Sequence, residues 1–153
     1  MNKTLARVAI LAAMLDLAVK LAFPLRDGAL LHGLLAIHQT SNTGAAFGLL
    51  SGQGGLSLIL SALLLALAGY FAQEQPLGCL QQTGAGLLLG GALGNLLDRL
   101  VHGAVSDYLK LLFVRFPIFN LADVFITLGA GLLVVSLLFF ERRGEHGQHP
   151  AQG

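Results

Sequence analysis

Four long apolar stretches constrain the fold of this chain more than any other feature of its sequence. Each is close to the roughly 20 residues that an α-helix needs to cross the roughly 30 Å hydrocarbon core of a bilayer. The stretches run over Leu5 to Phe23, Gly55 to Ala72, Leu80 to Leu97 and Leu121 to Phe140. Together they predict an all-α integral membrane protein with four transmembrane helices.

The overall composition agrees with a membrane protein. Hydrophobic residues make up 55% of the chain and charged residues only 11%, whereas a soluble domain carries roughly a quarter charged residues. The net charge of +1 gives no reason to expect a nucleic-acid partner. Cys79 is the only cysteine, which excludes an internal disulfide and a CxxC metal site.

The first apolar stretch also has the outline of a secretory signal peptide, because Lys3 and Arg7 precede its apolar run. Asp16 and Lys20 then stand where a cleavage site of small residues would normally follow. We therefore predict that this stretch is the first of four spans, which puts both termini on one side of the membrane. Lys and Arg divide evenly between the two sides, so charge alone does not orient the chain.

The sequence predicts one domain followed by a short tail. The four spans and their connections form a single unit over residues 1–140. Residues 141–153 are charged, Gly-rich and without apolar periodicity, and we expect them to be disordered.

Two charged residues interrupt the first span. An unpaired charge at a helix centre costs about 2.5–3.5 kcal/mol on insertion scales, so intramembrane charges are functional by default. Asp16 and Lys20 are four residues apart, so they share a helix face and can form an ion pair. We favour a structural ion pair over direct catalysis, because a paired carboxylate is held ionised.

The third span combines a glycine stripe with a polar end. Gly86, Gly90 and Gly94 recur every four residues and would let a second helix approach closely. Asn95 and Asp98 lie about one turn apart at the end of the span, and Arg99 can complete a polar network there. An Arg at this position is also explained by the helix dipole alone.

Two further acids lie at either end of one connection. Asp107 has an apolar neighbourhood in sequence, and Asp123 lies three residues after Asn120. Taken singly, Asp123 has the position of the acid in a capping box, with Asn120 as the N-cap. As a pair, the two carboxyls can converge at the mouth of a helix bundle and share a proton, which is the arrangement of aspartic proteases.

Taken together, these segments resemble the bacterial lipoprotein signal peptidases (signal peptidase II). The resemblance covers nearly the whole chain short of the tail, in the family's order. It rests on four motifs: Asn-Thr-Gly-Ala-Ala-Phe-Gly at 42–48, Gly-Gly-Ala-Leu-Gly-Asn-Leu-Leu-Asp-Arg-Leu at 90–100, Val-Ser-Asp-Tyr at 105–108 and Phe-Asn-Leu-Ala-Asp at 119–123.

The resemblance implies roles for individual residues. Asp107 and Asp123 would be the catalytic pair of an aspartic endopeptidase that needs no metal or cofactor. The positions expected to surround the pair, as substrate-binding or supporting residues, are Asn42, Asn95, Asp98, Arg99 and Asn120. Asp16 and Lys20 match a pair in the family's first helix.

The resemblance also implies substrates and placement. The expected substrates are diacylglyceryl prolipoproteins, cut just before the lipidated cysteine, and the expected protein is a monomer in the bacterial inner membrane. Both termini would be cytoplasmic and the active site extracytoplasmic. Leu30 to Asn42 would form short strands, a small β-like element between the first two helices.

Other classes of protein explain parts of the same sequence. A small transporter or channel would use intramembrane Asp and Lys, but it predicts charges spread through several spans near the midplane. A structural or assembly protein explains the glycines but not the clustered acids. A Ser–Lys peptidase would need an activated lysine, yet Asp16 lies one turn from Lys20. A zinc protease would need a motif such as HExxH, which the chain lacks.

Overall fold

The computed structural model describes residues 2–22, 27–43, 62–66, 69–70 and 78–145. The elements, in chain order, are helix α1 (Lys3–Ala22), strands β1 (Gly28–Leu31) and β2 (Leu35–Asn42), helix α2 (Cys79–His102), strand β3 (Val105–Leu111) and helix α3 (Leu121–Glu145). Residues 62–66 and 69–70 are also helical.

Three of the four predicted spans coincide with helices α1, α2 and α3. The second predicted span, Gly55 to Ala72, lies mostly outside the described residues, and its described parts are helical. Of the helices in the described ranges, one is long and apolar enough to cross a membrane by length and composition, over Leu121–Leu138 with a mean hydropathy of 2.2. The four-span arrangement therefore stays a prediction.

Helix α2 lies between α1 and α3, and glycines make both contacts close. A Cβ atom added at Gly90 would lie 2.5 Å from the Ala9 carbonyl oxygen of α1. A Cβ atom added at Gly91 would lie 2.5 Å from the Ala122 carbonyl oxygen of α3. The close packing predicted from the glycine stripe is confirmed, and α2 uses a second glycine face toward α3.

Besides the buried leucines Leu5, Leu88 and Leu133, the helices bury mainly small residues and expose many large apolar ones. Ala9, Ala12, Ala85 and Ala92 are buried, whereas Leu11, Leu128 and Leu138 are more than half exposed. A water-soluble bundle would bury its leucines. The observed pattern is typical of helices that pack through small residues and face lipid with large ones.

A three-stranded antiparallel sheet accompanies the helices, in the order β1-β2-β3. Strands β1 and β2 lie where the resemblance implied short strands. Strand β3 was not predicted. It comes from the connection between the third and fourth predicted spans, so the β-structure is larger than the small element expected between the first two helices. Its pairing runs from Leu35 opposite Leu111 to Asn42 opposite Val105.

Helix α3 ends later than predicted. It continues to Glu145, five residues beyond Phe140, so the first part of the expected tail is helical. Residues 146–153, the rest of that tail, lie outside the described residues.

Candidate active site

Strand β3 carries Asp107 to the end of the sheet nearest the helices. The side chain is buried, with 2% of the residue exposed. Asp107 is opposite Thr40 in the sheet, which places Asn42 diagonally across on the same face. The Asn42 Nδ2 group donates a hydrogen bond to Asp107 Oδ2 at 2.8 Å. The sheet register therefore sets this contact.

Asp123 lies in the first turn of α3 and forms a reciprocal cap with Asn120. The Asp123 backbone N–H donates to Asn120 Oδ1 at 3.0 Å, and the Asn120 N–H donates to Asp123 Oδ2 at 3.2 Å. The other carboxyl oxygen, Oδ1, accepts a hydrogen bond from Asn95 Nδ2 at 2.8 Å. Asp123 is thus both a helix cap and a member of the buried polar cluster.

Asn120 joins the two acids. Its Nδ2 group donates to Asp107 Oδ1 at 2.8 Å and to Asn95 Oδ1 at 3.0 Å, and the residue is fully buried. The Asn120 side chain thus contacts the Asp107 carboxyl and its backbone N–H contacts the Asp123 carboxyl, so one residue contacts both acids. A buried polar network of this kind holds its members rigidly when each hydrogen bond is made.

The N-terminus of α3 is held by side chains from three parts of the chain. The Leu121 N–H donates to the Tyr108 hydroxyl oxygen at 3.2 Å, and the Ala122 N–H donates to Asp16 Oδ1 at 3.0 Å. With the Asn120–Asp123 cap, the backbone N–H groups of residues 120–123 all have acceptors. The first N–H groups of a helix have no partner within the helix, so these contacts fix where α3 begins.

Asp16 and Lys20 form an ion pair, and a second carboxyl joins it. The Lys20 Nζ atom lies 2.7 Å from Asp16 Oδ2 and 3.0 Å from Asp98 Oδ2, and all three side chains are buried. Lys20 Nζ also donates to Asn95 Oδ1 at 3.4 Å. Asp98 Oδ2 accepts the Ser106 N–H at 3.1 Å, which ties the start of β3 to α2.

Arg99 lies beside this cluster on the same face of α2 as Asn95. Its Nη1 group donates to the Asn95 carbonyl oxygen at 3.2 Å. The guanidinium interacts electrostatically with Asp123, Asp107 and Asp98. A cation next to three acids offsets part of their mutual repulsion.

The pKa of Asp107 differs from that of an ordinary surface acid. Burial, with a smaller contribution from the charge of Asp123, raises the pKa of Asp107 to about 6, against the lowering effect of hydrogen bonds from Asn42 and Asn120. Burial also raises the pKa of Tyr108 to about 12, so its hydroxyl stays protonated. A carboxyl with a raised pKa can hold a proton near neutral pH.

The structure brings the predicted site residues together at one end of the helices. All nine lie in this cluster or its immediate support: Asp16, Lys20, Asn42, Asn95, Asp98, Arg99, Asp107, Asn120 and Asp123. Residues 44–48 of the first motif lie outside the described ranges. In those ranges, no group of three or more His, Cys, Asp or Glu side chains is arranged to hold a metal ion.

Sequence reasoning missed Tyr108 and the second partner of Lys20. The Tyr108 hydroxyl oxygen accepts a hydrogen bond from a backbone N–H 13 residues later, and no local sequence pattern predicts such a contact. The Lys20–Asp98 contact joins two different helices. A lysine with a single acid one turn away gives no sign that another carboxyl will share it.

Replacing Asp16 by asparagine should lower the amount of folded protein more than the turnover of what remains. Lys20 keeps Asp98 as a partner, so we expect a loss of about 1–3 kcal/mol rather than the full penalty for an unpaired buried charge. Blotting the membrane fraction, with cleavage measured per folded molecule, checks this. Normal abundance without activity would instead place Asp16 in the catalytic machinery.

The helices have an apolar outer surface and a cluster of buried acids at one end, an arrangement that suits a membrane enzyme. Two solved structures similar to the chain are described as bacterial membrane enzymes. One superposes with a TM-score of 0.78 at 27% identity, over 98% of this chain and 94% of the other. The second has a TM-score of 0.76 at 30% identity, over 89% and 93%.

Comparison with known families identifies which membrane enzyme this is. Residues 8–139 match the family model described as signal peptidase (SPase) II. The lipoprotein signal peptidase of Mesorhizobium japonicum is 41% identical over 138 residues, covering 86% of this chain and 81% of the relative. That of Gloeobacter violaceus is 38% identical over 152 residues, covering 94% and 86%. The chain belongs to the signal peptidase II family, a family of bacterial membrane proteases.

Proposed function

We propose that this protein is an aspartic endopeptidase that removes signal peptides from diacylglyceryl-modified prolipoproteins, cutting before the lipidated cysteine. Family membership supports the substrate class. The observation that supports the aspartic mechanism is the position of Asn120, whose side-chain amide donates to the Asp107 carboxyl and whose backbone N–H donates to the Asp123 carboxyl. Two carboxyls held around one residue repel each other when both are charged, and the charge of Asp123 raises the pKa of Asp107, so we infer that they share a proton.

In this proposal the shared proton lies on Asp107, whose carboxyl is buried beside Asp123 and has a pKa raised to about 6 by that burial. Asp123, ionised, takes a proton from a water molecule, and the water oxygen attacks the carbonyl carbon of the scissile peptide bond. Asp107 donates its proton to the carbonyl oxygen, so the negative charge that develops there is neutralised. The tetrahedral intermediate then collapses: its hydroxyl returns the proton to Asp107, and the leaving nitrogen takes the proton held by Asp123.

The three asparagines hold the carboxyls in position for these transfers. Asn42 and Asn120 each donate to a different oxygen of Asp107, and Asn95 donates to Asp123. Geometry of this kind contributes to rate because the reacting groups do not have to be reoriented in the transition state.

The proposed placement in the membrane is argued from the positions of Asp107 and Asp123 relative to the helices. We infer four transmembrane helices in a single domain over residues 1–140, with cytoplasmic termini and the acid cluster at the extracytoplasmic surface. Asp107 lies in a strand outside the helices, and Asp123 lies in the first turn of the apolar helix α3. Both therefore lie near the membrane surface rather than at its midplane. We propose that the enzyme acts as a monomer.

The direct test uses purified protein in detergent with matched substrates. A diacylglyceryl-modified prolipoprotein should be cut before its lipidated cysteine, and the same unlipidated precursor should not be cut. Cleavage of both would remove the claim of lipid specificity. Cleavage of neither, by folded protein, would favour the transporter interpretation of the charged residues.

The orientation makes a separate prediction for Cys79, which is exposed at the start of α2. If both termini are cytoplasmic, a membrane-impermeant thiol reagent should fail to label Cys79 on intact spheroplasts. The same reagent should label it after the membrane is opened. Labelling from outside would invert the topology and put the acid cluster on the cytoplasmic side.

A further inference from the structure

The end of the sheet farthest from Asp107 exposes an unusual amount of apolar surface. We call this end the apolar tip and define it by the end of β1, the turn between β1 and β2, and the loop after β3. The two segments are joined by a hydrogen bond from the Leu112 N–H to the Leu34 carbonyl oxygen at 3.0 Å. Seven of its residues are each 45–66% exposed: Leu30, Leu31, Leu34, Leu112, Phe113, Val114 and Phe116.

Two cations lie at the apolar tip, Lys110 near the end of β3 and Arg115 in the loop that follows it. Residues 110–117, including both cations, line an open groove of about 750 Å³. Both side chains are exposed, and neither belongs to an ion pair of the described residues. No Asp or Glu occurs between Asp107 and Asp123. The loop is therefore positive and apolar at once, a combination that suits a ligand with a negative head and a hydrocarbon body.

The short connection to α3 holds this loop close to the membrane surface. Only residues 117–120 separate it from Leu121, where the apolar helix of the membrane span begins. At the membrane–water interface, exposed aromatic and aliphatic side chains lie among lipid headgroups, and Lys and Arg side chains contact lipid phosphates. Exposed apolar patches beside polar residues are otherwise rare on folded proteins.

From this geometry we propose that the open groove lined by Lys110 and Arg115 binds the phosphate headgroup of an anionic phospholipid in the surrounding bilayer. The two cations contact the negative headgroup, while Phe113 and its apolar neighbours enter the adjoining acyl region. The site uses neither catalytic acid, so it stands or falls independently of the proposed cleavage reaction.

A single tryptophan can report on this site, because the chain has none of its own. The full-length Phe113→Trp protein is reconstituted in nanodiscs that contain the same mole fraction of acyl-brominated phosphatidylglycerol or acyl-brominated phosphatidylcholine. We expect the brominated anionic lipid to quench Trp fluorescence more strongly, with an enrichment of about fivefold for each cation. Adding Lys110→Gln and Arg115→Gln should make the two lipids quench equally.

The matched control is Leu128→Trp, on an exposed position of α3 within the apolar span and away from the loop. The two brominated lipids should quench this tryptophan equally. Equal quenching at position 113 in the protein with both cations would overturn the headgroup site, and absence of quenching there would place the tip in water. A fluorescence response to inorganic phosphate in detergent would indicate a soluble-anion site and would also overturn the proposal.

Discussion

Replacing either Asp107 or Asp123 by asparagine is expected to abolish prolipoprotein cleavage, with a loss of roughly four orders of magnitude in rate. Each substitution is nearly isosteric and removes one carboxyl from a pair that, in the proposed mechanism, works only as a unit. The double substitution should therefore be no worse than either single one. The measurement is cleavage by purified protein, with the level of each variant in the membrane fraction determined by blotting.

A matched control shows whether the loss of activity is specific to Asp107 and Asp123 or follows the removal of any carboxyl group. Asp27 is an exposed acid paired with His38 at 2.9 Å on the sheet, outside the acid cluster. Asp27→Asn should leave cleavage unchanged. For Asp123, a role limited to capping predicts a stability loss well under about 1 kcal/mol and little loss of activity, because Asn is itself an acceptable cap. Brisk processing by Asp123→Asn at normal abundance would end the aspartic mechanism.

Introducing leucine at Gly90 is expected to separate α1 from α2 and leave little folded protein. A Cβ atom there would lie 2.5 Å from the Ala9 carbonyl oxygen and 2.7 Å from Ala12 Cβ. Because one of these atoms is backbone, the helices must move apart to relieve the clash. Overpacking that a side chain can absorb costs about 1–3 kcal/mol, and a backbone clash should exceed this. Thermal unfolding in detergent, followed by size-exclusion chromatography, measures the loss.

Gly131 provides the control for that substitution. It lies within α3, and a Cβ atom added there would meet no atom within 4 Å among the residues that the structure describes. Leucine is a better helix former than glycine by up to about 1 kcal/mol, so Gly131→Leu should be neutral or stabilising. Equal behaviour of the two variants would mean that helix propensity, rather than the contact with α1, decides the outcome at Gly90.

The sequence predicts the helices well because their signal is local. Apolar residues within one stretch decide whether that stretch is a helix, and α1, α2 and α3 lie where such stretches occur. Strand β3 was missed for the opposite reason. Its partner, β2, lies more than 60 residues earlier, and pairing at that separation leaves no local mark in seven residues around Asp107.

The same distinction applies to the candidate site. Residue types and the family motifs identified which side chains belong to it, including both acids and the asparagines around them. They did not reveal that Asn120 contacts both acids, or that Asp98 shares Lys20 with Asp16. These contacts depend on the packing of three helices and a sheet, so only three-dimensional structure shows them.

The support of the α3 N-terminus has a consequence for the order in which the enzyme matures. Asp16, from the first helix, accepts the N–H of Ala122, which lies 106 residues later. Tyr108, from the last strand, accepts the neighbouring N–H of Leu121. Asp123 therefore reaches its final position only when the earliest and latest elements of the chain have met. If Asp107 and Asp123 form the catalytic pair, proteolytic competence therefore arises only once α3 has packed against α1 and β3.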